Sequence, residues 1–403
     1  MPDMPVGMAT PPPLPIGATG QSAVRRHMGS RWIEKGQGQM GIFSPAQPFQ
    51  RILLIQGRNL GDAVIGTGLV EALGRSFPDD EISVFTRPQF RPLYASNPYV
   101  SSIHLASFPM GTDKRFGFRP AVRLIMQLEA LRRRHFKLVI HIGGDFRENL
   151  LGWIISPRGT VSLAWGADHP FRHKIRAGLA FLQTYSVPIM SGEPSVYGAQ
   201  EQLASALGSR TEAHPRVYAE NGRPILHSPD GNKVGIHVSA SQEFKRWPVA
   251  SWRAVISGLR ARNMGVHIFA APEERPALLS DYGDLLGNDV EIVTGSLLDF
   301  FVALSHVRAV VCLDSFSVHA AHAIGVPSIV LSGANTAELY APPSTEVIAS
   351  GQRLPCAQCM NRPSCVQSNH SFVCIRDIAP DQVLSRLDQL VMTNRTILVE
   401  ARA

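Results

Sequence analysis

The 403-residue sequence has no apolar stretch approaching the roughly 20 consecutive residues that a membrane-crossing helix needs, so a bilayer-spanning protein is not expected. Its opening, MPDMPVGMATPPPLPIGATG, lacks the apolar block of a secretory signal and is broken by prolines. Residues 1–50 are therefore read as a disordered leader, and the cytoplasm as the compartment. No GxxxxGK[ST] signature occurs, which disfavours a P-loop nucleotide site. The glycines of GTGLVEALG, at 66, 68 and 74, fall inside a helical pattern and not in the strand-to-helix turn that would cradle a pyrophosphate, so a nicotinamide-dinucleotide enzyme is disfavoured too. A helix-turn-helix and an aromatic RNA-binding motif are both missing, and no nucleic-acid partner is expected.

Cysteine is scarce and clustered. Of the five residues, four lie in CAQCMNRPSCVQSNHSFVC at positions 356, 359, 365 and 374. Cys356, Cys359, Cys365 and Cys374 offer the four ligands of a structural zinc site, with His370 as a substitute, although the spacing is not that of a zinc ribbon; free thiols or a loop staple are the other readings. Cys312, inside an apolar run, reads as core.

What the chain does have is material for large cores: 44% of residues are hydrophobic and 18% charged, at a length that favours two domains. The net charge of +7 is unevenly placed, with 18 Lys and Arg against 11 Asp and Glu over residues 51–200 and a net −2 over residues 201–403. A basic first half suits an anionic partner, whether nucleic acid, a phosphorylated substrate or an anionic membrane face, or equally a basic solvated surface.

From residue 51 short apolar runs alternate with amphipathic stretches: RILLIQ, VIGTGLVEALGRSF, EISVFT, AVRLIMQLEALRRRH, FKLVIHIGG. Alternation of this kind indicates a mostly parallel sheet with helices on its faces. NGRPILHSPDGNK, residues 221–233, interrupts it with turn formers, and the alternation then restarts at KVGIHV. Two doubly wound α/β domains are expected, residues 51–225 and residues 226–403, the second carrying the cysteine-rich loop 356–374. Ligands of such folds bind beyond the carboxyl ends of the strands, here in a cleft between the domains.

Four stretches could carry chemistry. In GRNLGDAVIGT, Asn59 and Gly61 form the turn after the first strand, Gly61 allowing close approach of another group, and Asp62 lies at the helix start. There it is either an N-cap, worth about 0.5–2 kcal/mol, or a carboxylate kept ionised by the helix dipole and ready to accept a proton; the roles are compatible. In GIHVSASQEFKRWP, small residues such as Ser241 follow a strand and let hydroxyls and amides reach a ligand, Lys245 offers a point charge for phosphate or a plain surface lysine, and His237 reads as packed. In FAAPEERP, Glu273 or Glu274 could bind ribose hydroxyls or simply favour the helix start. In VVCLDSFSVHAAHAIGVPSIVLSG, Asp314 and Ser315 end a buried strand ahead of a helix whose N-terminus suits an anion, and His319 projects from its first turn; a cap by Asp314 or Ser315 explains the same spacing.

Taken in order, ILLIQGRNLGDAVIGTGLVEAL, KRWP, PEE and LDSFSVHAAHAIGVPSIVLSG resemble the bacterial lipopolysaccharide heptosyltransferases of glycosyltransferase family 9, over residues 51 to 390. The resemblance implies a GT-B fold, two Rossmann-like domains facing across a cleft, and metal-independent transfer of heptose from an ADP-activated donor to the lipopolysaccharide core with inversion. It implies Asp62 as general base, Lys245 on donor phosphate, Glu273 on ribose, and Asp314, Ser315 and His319 around the diphosphate and sugar. No cofactor is implied. The implied partners are a nucleotide-sugar donor, a lipid-linked phosphorylated oligosaccharide acceptor and an anionic inner-membrane surface, with the protein peripheral on it. Phe316 stands where family members usually carry glycine, and Gly333-Ala334-Asn335 where Gly-Pro-Thr is common. A reshaped donor pocket keeps two alternatives open: a different nucleotide-sugar donor, or nucleotide-sugar binding without turnover.

Overall fold

A computed structural model describes residues 31–32, 49–108, 117–142, 146–164, 185–188, 195–333, 337–350 and 371–400, with isolated positions between 354 and 368. Apart from 31–32 and 49–50, the segment read as a leader lies outside the described residues. The first sheet contains β1 (Arg31–Trp32), β2 (Arg51–Gln56), β3 (Glu81–Thr86), β4 (Val100–Leu105), β5 (Leu138–His141), β6 (Thr160–Ala164) and β7 (Tyr185–Pro188). The second contains β8 (Lys233–His237), β9 (Gly265–Phe269), β10 (Val290–Val293), β11 (Val310–Leu313), β12 (Ser328–Ser332) and β13 (Thr345–Ala349). All ladder pairs are parallel, in the orders β1-β7-β6-β5-β2-β3-β4 and β10-β9-β8-β11-β12-β13. Two parallel sheets with helices on their faces make an α/β fold of the GT-B kind. The short apolar runs read as strands because central parallel strands are covered on both sides: in β2 and β3 every residue after the first is buried.

Helices of the first half are α1 (Leu60–Ser76), α2 (Pro92–Ala95), α3 (Phe118–Arg132), α4 (Phe146–Ile155) and α5 (Val196–Ala206). Those of the second are α6 (Val249–Ala261), α7 (Arg275–Tyr282), α8 (Leu297–Ser305), α9 (Phe316–Ile324), α10 (Ala337–Tyr340), α11 (Val373–Arg376) and α12 (Pro380–Glu400). α1 is buried without a break from Ala63 to Gly74, so its glycines serve packing: a methyl group on Gly68 would sit 2.2 Å from the carbonyl oxygen of Ala213. Glu71, also buried in α1, accepts hydrogen bonds from Tyr218 Oη at 2.8 Å and Asn97 Nδ2 at 3.3 Å.

Leu53, Ile55 and Val139 pack under α3 and α4 on one face of the first sheet. On its other face α1 and α5 share a continuous apolar cluster with α8 and α9, so the two halves are joined by core as well as by chain. α6 and α12 cover the remaining face of the second sheet. The 221–233 segment is held down: His227 N donates to Ile324 O at 2.7 Å and Ser228 N to Ser305 O at 2.9 Å.

Strand order reverses in both sheets. The chain runs β2, β3, β4 to one edge and returns to β5 on the other side of β2; likewise β8, β9, β10 precede a return to β11 beside β8. Loops leaving neighbouring strands in opposite directions open a crevice at each such point. The turns after β2, β8 and β11 are the ones that carry Asp62, Lys245 and Asp314.

Candidate active site

Between the two crevices lies a cleft of about 930 Å³. From the first half it is lined by the 58–62 turn, Gln56, Gln89 and Glu148; from the second by Ser241, Lys245, Glu273, Asp314, Ser315 and His319. Every candidate catalytic and donor-binding residue of the sequence, with Asn59 and Gly61, thereby lines one cavity; the four cysteines do not.

Asp62 is not the N-cap of α1. Asn59 takes that position with extended backbone, and Asp62, three residues on, reaches back: its Oδ2 accepts from Asn59 N at 3.3 Å and from Asn59 Nδ2 at 3.1 Å. Oδ1 makes no hydrogen bond among the described residues, and Asp62 lines the cleft. One oxygen closes the helix end while the other is free for a substrate.

The neighbouring glycine marks where the halves meet. A methyl group on Gly61 would lie 2.9 Å from His319 Cδ2 and 3.4 Å from Nε2, so no other residue lets α1 approach α9 this closely without displacement. The buried His319 ring is gripped from the first half, its Nδ1 lying 2.7 Å from Tyr197 Oη on α5. Burial lowers its pKa to about 4 against the pull of Asp314 and Asp62, with Lys245 acting in the same direction as burial. The imidazole is neutral at physiological pH, and if Tyr197 donates to Nδ1 the proton sits on Nε2, the nitrogen on the Gly61 side. Tyr197 is 135 sequence positions from Asp62 in a different helix, and no local pattern flagged it.

Lys245, at the end of a short 3-10 turn, places Nζ 2.9 Å from Asp314 Oδ2 and 3.3 Å from the Asp314 carbonyl, with both side chains 14% exposed. This pins a cation at the mouth of α9. Ser315 is the N-cap of that helix, its hydroxyl sharing a 2.8 Å hydrogen bond with Ser317 Oγ and not covering the first backbone amides. Unpaired amides, two hydroxyls and a lysine at one helix end suit a phosphate.

The two glutamates of FAAPEERP divide their work. Glu274 Oε2 accepts from Ala271 N at 3.0 Å and closes its own helix end, whereas Glu273 is exposed in the cleft. Ser241 is exposed on the same wall. His237 is packed, as expected: it stands edge-on to Phe316 at 5.5 Å, and burial pushes its pKa down to about 4. Phe316 and Phe300 pack with tilted rings 5.0 Å apart and form an apolar wall of the cleft. Arg58, Arg246 and Tyr340 also line the cleft. Burial raises the Tyr340 pKa, and Asp62 adds to it.

The cysteine loop gives a different outcome from its spacing. Cys356 lies against Cys365, and the Cys374 thiol is raised first by burial and then by the other three sulfurs, so the four are neighbours. None of the four is in a disulfide, and no three His, Cys, Asp or Glu side chains among the described residues are grouped to hold a metal. The zinc expectation thus finds no ligand set there, and His370 lies outside the described residues. Cys312 is core, fully buried with its pKa pushed up to about 12. No described helix is long and apolar enough to cross a membrane.

Two parallel-sheet halves facing across a cleft, each offering its strand-order reversal, define the GT-B class of nucleotide-sugar enzymes. The model of glycosyltransferase family 9 (heptosyltransferase) matches residues 128–370, and the chain belongs to that family of glycosyltransferases. It is 22% identical over 306 residues to lipopolysaccharide heptosyltransferase 3 of Escherichia coli, covering 72% of this chain and 85% of that protein. Among solved structures, a family 9 glycosyltransferase from Veillonella parvula superposes with a TM-score of 0.65 at 15% identity, covering 87% of this chain and all of that one. The Escherichia coli heptosyltransferase WaaC with ADP superposes with a TM-score of 0.62 at 16% identity, covering 84% and 99%.

Proposed function

We propose that this protein transfers a heptose from an ADP-activated donor to a phosphorylated, lipid-linked acceptor of the lipopolysaccharide core, with inversion and without a metal ion at the reacting atoms. The observation that carries the reading is the free Oδ1 of Asp62 in the same cleft as the Lys245, Asp314 and α9 cluster of the opposite half. Names of its relatives supply the donor and acceptor classes: lipopolysaccharide heptosyltransferase, and a heptosyltransferase solved with ADP.

Residues 51–225 act as the acceptor-side domain and residues 226–403 as the donor-side domain. The donor lies along the second half with its ribose hydroxyls on Glu273 and its diphosphate on Lys245, Ser241, Ser315 and the first amides of α9. Asp62 takes the proton from the acceptor hydroxyl as that oxygen attacks the anomeric carbon. The bond to the diphosphate oxygen breaks on the opposite side of the carbon, which inverts it, and the electron pair leaves with ADP. Lysine, helix end and the neutral His319 donor stabilise the developing charge without a cation bound between the phosphates. Enzyme and membrane meet at the cytoplasmic face of the inner membrane.

Incubation of the purified protein with ADP-heptose and truncated lipid acceptors tests the reading: mass spectrometry should find the acceptor heavier by one heptose residue. Binding of ADP-heptose with no product on any acceptor would sink it. Phe316 favours one second reading, another nucleotide sugar with a smaller glycosyl group, which thermal shifts over a panel of nucleotide sugars would separate.

A further inference from the structure

On the sheet face away from α1, the exterior is built unlike the rest of the molecule. α3 buries Leu124, Leu128 and Leu131, as an amphipathic helix should, yet its outward side is not polar. Phe118 is 84% exposed, Ile125 65% and Met126 67%, with Val122 beside them. The spacing 118, 122, 125, 126 makes one stripe along the helix. Beside it, α4 turns Leu150 and Trp153 outward. Six of the thirteen large apolar side chains exposed among the described residues fall on these two helices. Single exposed apolar residues need no explanation, but a cluster marks a contact surface.

The charge around the stripe has one sign. Residues 118–137 hold six Lys and Arg and a single acid, Glu129, and Arg133 pairs with it at 3.0 Å. Arg119 and Arg123 flank the apolar residues and are exposed. Two copies meeting through this face about a two-fold axis would set arginine against arginine. An apolar strip edged with arginine instead complements the boundary between acyl chains and anionic headgroups. Position agrees: α3 follows β4 in a parallel sheet and so starts at the carboxyl ends of the strands, the rim where Asp62 and Glu148 line the cleft.

We infer that the α3–α4 face docks on a bilayer carrying anionic headgroups, with Phe118, Val122, Ile125 and Met126 inserted at the acyl boundary and Arg119 and Arg123 on lipid phosphates. The inference rests on the proposed lipid-linked acceptor only for why the cleft should open toward a membrane; the surface itself is independent of turnover.

Sedimentation of the full chain with phosphatidylcholine vesicles, with and without phosphatidylglycerol, is the test. The wild type should sediment with anionic vesicles, less at high salt, and not with neutral ones. Arg119→Gln with Arg123→Gln should weaken binding about fivefold per arginine, and Ile125→Ser with Met126→Ser at least about tenfold. Both pairs should keep the wild-type melting temperature and the rate of transfer to a delipidated, soluble acceptor. Equal sedimentation of wild type and variants, or none by the wild type, would overturn the inference. A dimer that light scattering finds dissociated by Ile125→Ser, with no vesicle binding, would assign the face to a second copy instead. Transfer to the soluble acceptor reads the proposed function separately, so either claim can fail alone.

Discussion

Asp62→Asn separates the two jobs of this side chain. The asparagine retains a carbonyl oxygen where Oδ2 accepts from Asn59 N at 3.3 Å and Nδ2 at 3.1 Å, so the helix end stays closed. What is lost there is the attraction of a full charge to the helix dipole, about 0.3–1 kcal/mol. Removal of a general base costs about 10²- to 10⁴-fold in kcat, or roughly 3–5 kcal/mol of barrier. The chemical effect should exceed the stability effect several-fold. Asn59→Ala is the mirror experiment: it removes the N-cap side chain, costs about 1 kcal/mol of stability, and leaves Asp62 Oδ1 in place, so kcat should fall less than about tenfold.

Three readouts on both variants decide the matter: transfer rate at saturating substrates, ADP affinity by calorimetry, and the melting temperature. Asp62→Asn should bind ADP as the wild type does, because the donor contacts come from the other half. If Asp62→Asn keeps kcat within about tenfold of wild type, or Asn59→Ala loses as much as it does, Asp62 is a helix cap and nothing more.

The remaining predictions concern the donor side and acid stability. Lys245→Ala removes the cation 2.9 Å from Asp314 Oδ2; calorimetry should find ADP affinity reduced about 10- to 100-fold, the worth of one charge-assisted hydrogen bond, whereas unchanged affinity would take Lys245 out of the diphosphate site. Phe316→Gly strips a ring packed 5.0 Å from Phe300; the melting midpoint should fall by the equivalent of about 2–4 kcal/mol, and nucleotide sugars with bulkier glycosyl groups should gain turnover relative to wild type. His237, His319 and His322 all have pKa values lowered to about 4, burial being the first cause in each. The folded state therefore binds fewer protons than the unfolded chain between about pH 6.5 and 4, and stability is fully present above that window and falls through it by up to about 1.4 kcal/mol per pH unit for each histidine. Chemical denaturation at pH 7, 6 and 5 reads this slope, and His322→Gln should make it shallower; a flat profile would contradict the assigned burial.

Much of the fold was legible because parallel strands covered on both sides must be apolar throughout, and RILLIQ, KLVIH and VVCL could be little else. Strand order was not legible, since it depends on crossovers that leave no mark on any one strand. At the site, Gly61 signalled a close approach without naming the ring that approaches, and Asp62 signalled a helix start without revealing that Asn59 caps it. The choice between Glu273 and Glu274 needed the backbone, which turns one to the Ala271 amide and leaves the other in the cleft. Tyr197 was invisible because its partner lies 122 residues away. The four thiols at ligand-like spacing do come near one another, and the described residues include no group of three or more ligands for a metal. Arg31–Trp32 pairs with β7 inside a segment whose composition gave no hint of a strand.

Electrostatics gives a reason for the proposed placement of base and leaving group on different halves. An Asp62 carboxylate close to a diphosphate raises the energy of the bound donor, and more so in a cleft that excludes water. The opposite half counters this with Lys245 and the positive end of α9, both within range of the His319 ring that touches Gly61. Had His319 been protonated, it would have attracted Asp62 and competed for the free oxygen that must take the acceptor proton. Burial removes that charge, so the contact between α1 and α9 carries no His319–Asp62 ion pair that would shut the cleft. Replacing Tyr197 by phenylalanine would leave Nδ1 buried without its partner and loosen this control of the ring's proton, a change that should surface in the pH dependence of kcat before it surfaces in ADP affinity.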